Sequence, residues 1–212
     1  MHTSRRHVLL LVAMLGIASV SHAQQTILFA TDPFAGSTAL TTPGRQIVGG
    51  ELFTTFNPAT DVFAFDASVF GAYSIGAINF VNGAISAVPS TGVNAIVLQA
   101  FDPLPFGAAN AADLLANKIT APGAGFFVYF NSGLDVPRLV FARNLDDPTA
   151  DLKVLARLTN LSGPGATALS SFTAANFRLV STTVPEPSSV LLVAAGLLII
   201  GVRRRARDRD GT

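Results

Sequence analysis

The sequence predicts a mainly β fold, a single antiparallel β-sandwich or jelly-roll-like domain with one short helix, flanked by an apolar helix at each end. Three observations support this prediction. Short apolar runs recur at roughly 10-residue spacing between residues 24 and 183. Gly, Pro, Asn and Asp residues separate these runs, as expected for turns. All 16 phenylalanines of the 212-residue chain lie in the same part, where they can form one core.

The strands are predicted from apolar runs of β-forming residues. They cover residues 26–30, 61–65, 77–81, 94–101 and 125–130, of which the last two are apolar enough to be buried on both faces. Two further segments, 137–143 and 151–159, are predicted to form an antiparallel hairpin across the polar loop 144–150. In the second of these, Leu152, Val154, Ala156 and Leu158 are predicted to share one face, with Leu155 as the exception.

One helix is predicted between the strands. Asn110 is a suitable N-cap for a helix running from residue 111 to about residue 119. Asp113 then lies near the positive end of the helix dipole. The sequence Ala121-Pro122-Gly123 ends the helix.

Residues 1–23 read as a secretory signal peptide. Arg5 and Arg6 precede an apolar stretch over residues 8–20, and Ser21-His22-Ala23 supplies the small residues of a cleavage site. Cleavage is predicted between Ala23 and Gln24, which makes signal peptidase and an export translocon the first partners. The two arginines also fit a twin-arginine signal, although the usual Phe and Lys are missing, so Sec export is favoured and both routes stay open.

The C-terminal tail has three parts in a fixed order. Val184-Pro185-Glu186-Pro187 comes first, and an uncharged run at residues 190–202 follows two serines. With those serines, a membrane helix is predicted at about 188–202, short for a bilayer core of about 30 Å. The basic stop behind it holds this end in the cytoplasm by the positive-inside rule; it consists of Arg203, Arg204, Arg205 and Arg207.

This three-part tail resembles the sorting signal of PEP-CTERM proteins, which Gram-negative bacteria with an extracellular polysaccharide matrix export. The resemblance covers residues 184–212. It implies that an exosortase, a transpeptidase-like membrane enzyme, recognises Pro185, Glu186 and Pro187 as substrate residues. It also implies export across the inner membrane, retention there by the tail, and then transfer to the cell surface or matrix. The alternative is a plain C-terminal membrane anchor with a proline hinge.

Composition restricts the chemistry of residues 24–183. This part holds seven basic and ten acidic residues, a net charge of −3 without a basic cluster, so no nucleic-acid partner is expected. The chain has no cysteine, and its three histidines all lie in residues 1–23, which excludes histidine and cysteine catalysis from the processed form. We therefore expect no enzymatic activity, and the resemblance of the tail to the PEP-CTERM sorting signal implies a structural or adhesive role in the matrix. The alternatives are a polysaccharide-binding module and a glycoside hydrolase that uses two carboxylates.

Two further predictions concern ligands. No cofactor is expected, but four acids around the predicted hairpin are candidates for calcium: Asp135, Asp146, Asp147 and Asp151. A polysaccharide partner would need exposed aromatic rings, and tryptophan is absent. The phenylalanines in Pro-rich loops are the candidates: Phe34, Phe101 and Phe106.

Overall fold

The computed structural model describes residues 23–99, 107–163 and 165–182. Several predicted features lie outside these residues: residues 1–22 of the signal peptide, the sorting motif, the membrane helix at about 188–202 and the basic stop. Phe101 and Phe106 also lie outside them. Within the described ranges no helix is long and apolar enough to cross a membrane. The fold is mainly β, with ten strands in the described residues. They are β1 Thr26–Phe29, β2 Ile47–Val48, β3 Leu52–Thr54, β4 Val62–Asp66, β5 Phe80–Gly83, β6 Ala95–Leu98, β7 Gly125–Asn131, β8 Val136–Ala142, β9 Leu152–Leu158 and β10 Phe177–Val180.

The strands form two sheets. A small sheet has the order β1-β4-β10, and a large sheet has the order β2-β9-β8-β7-β6-β5 with β3 also on β9. Among the described pairings only β7–β8 and β8–β9 are antiparallel, and the others are parallel. The predicted antiparallel sandwich is therefore wrong for most pairs. The connection from β6 to β7 is long and contains a helix, which suits a parallel crossover.

The described residues contain three α-helices, where one was predicted: α1 Ala67–Gly71, α2 Ala108–Ala116 and α3 Gly165–Leu169. The predicted helix is α2, but Gly107 is its N-cap and Asn110 lies exposed in its first turn. Asp113 consequently lies in the middle of α2 and not at the positive end of its dipole. Ala108 and Leu115 are buried against the large sheet, so packing overrides the local preference for an Asn cap.

The predicted β8–β9 hairpin is confirmed, but its faces differ from the simple alternation. Leu139 lies opposite Ala156 while Val140 lies opposite Val154, so Leu155 is an extra residue. Such a bulge exchanges the two faces of a strand. Leu152 and Val154 consequently pack on the α2 side of the sheet, whereas Ala156 and Leu158 pack in the phenylalanine core. The prediction that all four share one face is wrong for this reason.

The large sheet is buried on both faces. A phenylalanine-rich core lies on the side of the small sheet, and a second cluster lies under α2. Phe126 belongs to the first and Phe127 to the second, which explains the continuous apolar run of β7. Rings stack across the core, with centroids 3.8 Å apart for Phe65 and Phe126. The described part is thus a three-layer arrangement of small sheet, large sheet and helix.

Candidate functional sites at the chain ends and a charged groove

The described chain enters the small sheet at one end of its parallel strands and leaves it at the other end. β1 and β10 both run parallel to the central strand β4. Thr26 at the start of β1 lies opposite Val62, whereas Val180 at the end of β10 lies opposite Asp66. The predicted cleavage residues Ala23 and Gln24 are exposed just before β1. The predicted cleavage site between Ala23 and Gln24 is therefore accessible in the folded domain.

Asp66 anchors the point where the chain leaves β10. Its carboxylate caps α1 and accepts hydrogen bonds from the Ser68 hydroxyl and from the Ser68 and Val69 amides. The Ser68 hydroxyl, together with backbone amides that include Thr182, holds the pKa of Asp66 below its ordinary value. Because Val184 is only two residues after Thr182, the sorting motif begins within roughly 7 Å of chain from the domain.

The four calcium candidates are not brought together. Asp135, in the left-handed region with φ of 54°, ends the β7–β8 turn and accepts from the Gly163 amide at 3.3 Å. Asp146 and Asp147 follow the other end of the seven-residue β8, roughly 20 Å away. Asp151 is buried and accepts from the amides of Gly44 and Gln46 at 2.8 and 3.1 Å. It also pairs with Arg143.

These carboxylates have structural partners within the loops. Both the amide and the hydroxyl of Thr149 donate to Asp147 at 2.7 Å, and these bonds lower the pKa of Asp147. Within the described residues no group of three or more Asp, Glu, His or Cys side chains is placed to hold a metal ion. Calcium remains a prediction that these observations do not support.

We expect calorimetry to detect no binding when Ca²⁺ is added to about 1 mM to the purified full chain, because Asp147 and Asp151 already accept two hydrogen bonds each. Asp146→Asn and Asp147→Asn variants are the matched controls. A saturable heat in the parent chain that both variants remove would contradict this expectation.

A charged cluster, which the sequence analysis missed, joins β8, β9 and the start of β3. The carboxylate of Glu51 accepts hydrogen bonds from Arg138 and, at 2.5 Å, from Arg157. All three side chains are largely buried. Burial raises the pKa of Glu51, but the bonds and charges of the two arginines outweigh it and lower the pKa. Arg157 also stacks over the ring of Phe53, 4.5 Å from its centroid.

Because the folded pKa of Glu51 lies below its ordinary value of 4.5, its ionised form stabilises the fold above that pH. This stability is lost as the pH falls through the folded pKa. We expect Glu51→Gln to lower the free energy of unfolding by about 2 kcal/mol at neutral pH and by much less near pH 3. Urea unfolding over this pH range measures the difference, with Asp113→Asn as the control. A Glu51→Gln deficit that stays constant down to about pH 3 would contradict the role of the cluster.

A groove of about 670 Å³ separates β1 from β3; we call it the β1–β3 groove. Leu28 and Phe29 form one wall, and Leu52 forms the other with Leu155. Lys153 also opens into it, and its ammonium donates to the backbone carbonyl of Gly49. The groove therefore combines apolar walls with one cation, Lys153, and two acids, Asp32 and Glu51.

Of the three phenylalanines predicted as candidates for sugar stacking, only Phe34 lies within the described residues. Phe34 is fully buried against Tyr73 and Phe141, so the prediction that it is an exposed platform is wrong. Phe53, which no sequence pattern singles out, is an exposed ring of the described residues, with 62% of its surface accessible. Its only sequence signal is its place in a short apolar segment.

Comparisons with known proteins bear on the tail. The family model of the PEP-CTERM protein-sorting motif matches residues 183–205. No curated protein and no solved structure matches the chain. The match includes the Val-Pro-Glu-Pro sequence, the uncharged run and the first three arginines of the basic stop. The C-terminal tail of this chain is a PEP-CTERM protein-sorting motif.

Proposed function

We propose that this chain is an exported protein that its tail holds in the inner membrane until an exosortase-type enzyme processes it, after which the domain has a non-enzymatic structural or adhesive role at the cell surface or in the matrix. The match of residues 183–205 to the sorting motif carries this proposal. Signal peptidase and the export translocon act first, at Ala23 and Gln24. Release from the membrane then depends on Pro185, Glu186 and Pro187.

The non-enzymatic role is supported by how the domain uses its polar groups. Asp66 caps a helix, Asp151 holds the loop at Gly44 to Gln46, and Glu51 binds two arginines. Carboxylates with structural partners of this kind are poor candidates for the acid and base of a hydrolase. The sequence contains no histidine after residue 23 and no cysteine that could act in their place.

Fractionation of cells tests the proposed sorting. The full chain and a version that stops at Thr183 are expressed in a host that has an exosortase. We expect the full chain to pass through the inner-membrane fraction before it reaches the surface or medium. The truncated chain should be found in the periplasm at all times. Identical distributions of the two versions would contradict the proposal.

A second candidate is a polysaccharide-binding module, which the exposed Phe53 ring beside Arg157 favours. An aromatic face next to a guanidinium suits a sugar that carries an acidic group. A glycan array with the released protein tests this candidate. Binding to acidic glycans that Phe53→Ala abolishes would support it, and an array without signal would eliminate it.

A further inference from the structure

We propose that Gln24 is a modification site: once the signal peptide has been removed, its α-amine closes a ring with its own side-chain amide and converts the first residue to pyroglutamate. This modification rests on the proposed function, because the ring requires a chain that begins at Gln24. It goes beyond that function, because it sets the chemical form of the terminus that the exported protein presents to its surroundings.

The chain becomes fixed one residue after the predicted cut. The Gln25 amide donates to the carboxylate of the buried Asp61 at 3.0 Å, and the Gln25 carbonyl accepts from the Val62 amide at 2.9 Å. Gln24 is exposed and makes no hydrogen bond to another described residue. Its side chain can therefore rotate while β1 keeps its place beside β4.

The surface around Gln24 leaves room for the reaction. Gln24 lines a depression of about 350 Å³, so its side chain has space to fold back to its own backbone nitrogen and ammonia has space to leave. The charged residues of the lining are Asp61 and Arg178. A carboxylate favours the ammonium form of a nearby amine, and a guanidinium opposes it. An ordinary α-amine has a pKa of about 7.7–8.0, so roughly a tenth of it is the neutral nucleophile at pH 7.

The ring closure is an exchange of one amide for another. The α-nitrogen of Gln24 attacks the side-chain carbon Cδ, and a new C–N bond forms. The bond between Cδ and Nε2 breaks, and Nε2 takes a proton from the α-amine and leaves as ammonia. The product is an uncharged five-membered lactam. The reaction requires no oxidant, cofactor or second substrate, and both groups belong to one residue, which favours an intramolecular attack.

The cut controls the reaction, and the fold is not disturbed by it. In the uncut chain the nitrogen of Gln24 belongs to the planar peptide bond with Ala23, where resonance makes it a poor nucleophile. The ring contains only atoms of residue 24 and restricts its rotation as a proline ring does. The two hydrogen bonds of Gln25 therefore persist. The exposed end then lacks the α-ammonium that aminopeptidases bind, so it resists trimming outside the cell.

Mass spectrometry of the N-terminal peptide tests this modification. Trypsin releases residues 24–45 from the processed protein, because Arg45 is the first basic residue after the cut. We expect this peptide from the released protein to be lighter by one ammonia than its sequence requires, and to have no free α-amine for labelling. A synthetic peptide of residues 24–45, carried through the digestion alone, measures the ring closure that handling causes.

Two variants assign the loss of ammonia to the first residue. Gln24→Asn should keep its full mass, because the shorter side chain would need a strained four-membered ring. Gln25→Asn, the matched control at the next position, should still lose ammonia. A peptide that begins at Gln24 and shows no more loss than the synthetic peptide would overturn this proposal alone. A released chain that begins at another residue would overturn it together with the predicted cleavage site, so the two failures are distinguishable.

Discussion

Replacement of Pro185, Glu186 and Pro187 by alanine is expected to leave the protein uncut in the inner membrane. The change removes the only charge of the motif and the two prolines that prevent it from joining a helix. Loss of one hydrogen-bonded charge costs about 2 kcal/mol of recognition, so release should fall by roughly 30-fold. Immunoblots of membrane and medium fractions measure the released share.

The adjacent serines provide the control for this experiment. Alanine at Ser188 and Ser189 changes the same stretch of tail but preserves the motif, so release should stay close to that of the parent chain. Normal release of the variant without prolines and glutamate would mean that the motif is not what the processing enzyme reads.

Phe126→Ala is expected to cause the largest loss of stability in the domain. Phe126 is fully buried, and its ring lies 3.8 Å from Phe65, 5.1 Å from Phe70 and 5.3 Å from Phe141. Removal of such a ring leaves a cavity and costs about 3–5 kcal/mol. Domains of this size are stable by only about 5–15 kcal/mol, so the variant should be close to unfolding. Urea unfolding of the full chain in detergent measures the difference.

Phe53→Ala is the matched control, since it removes the same ring from an exposed position. Its main loss is the contact with Arg157, which is worth less than about 1 kcal/mol. Equal losses for the two variants would contradict the placement of Phe126 in the core.

The features that the sequence predicts correctly are local ones. The β8–β9 hairpin follows from two β-forming segments joined by a polar loop, and its strands are adjacent in sequence. The sorting tail likewise depends on a few neighbouring residues. Leu155 is an instructive case, because the single apolar residue that broke the alternation is the bulge that exchanges the faces of β9. A break of this kind in a strand pattern can be interpreted as a bulge before the structure is known.

The features that the sequence does not predict depend on distant contacts. Glu51 meets Arg138 and Arg157 across 87 and 106 residues, and no local pattern marks such a pair. Asp151 is a calcium candidate from its sequence, but it is buried where the segment before β2 passes over it. The parallel pairing of β1 and β10 with β4 also joins segments far apart in sequence. Tertiary packing decides these arrangements, and residue propensities carry little information about them.

The mass of the released protein shows whether the tail is removed. We expect a chain that begins at Gln24 and ends before Ser188, without the apolar run and the basic stop. Intact mass spectrometry of protein from the medium or cell surface, with sequencing of its terminal peptides, determines both ends. A released chain that still ends at Thr212 would contradict the claim that the tail is a processed sorting signal.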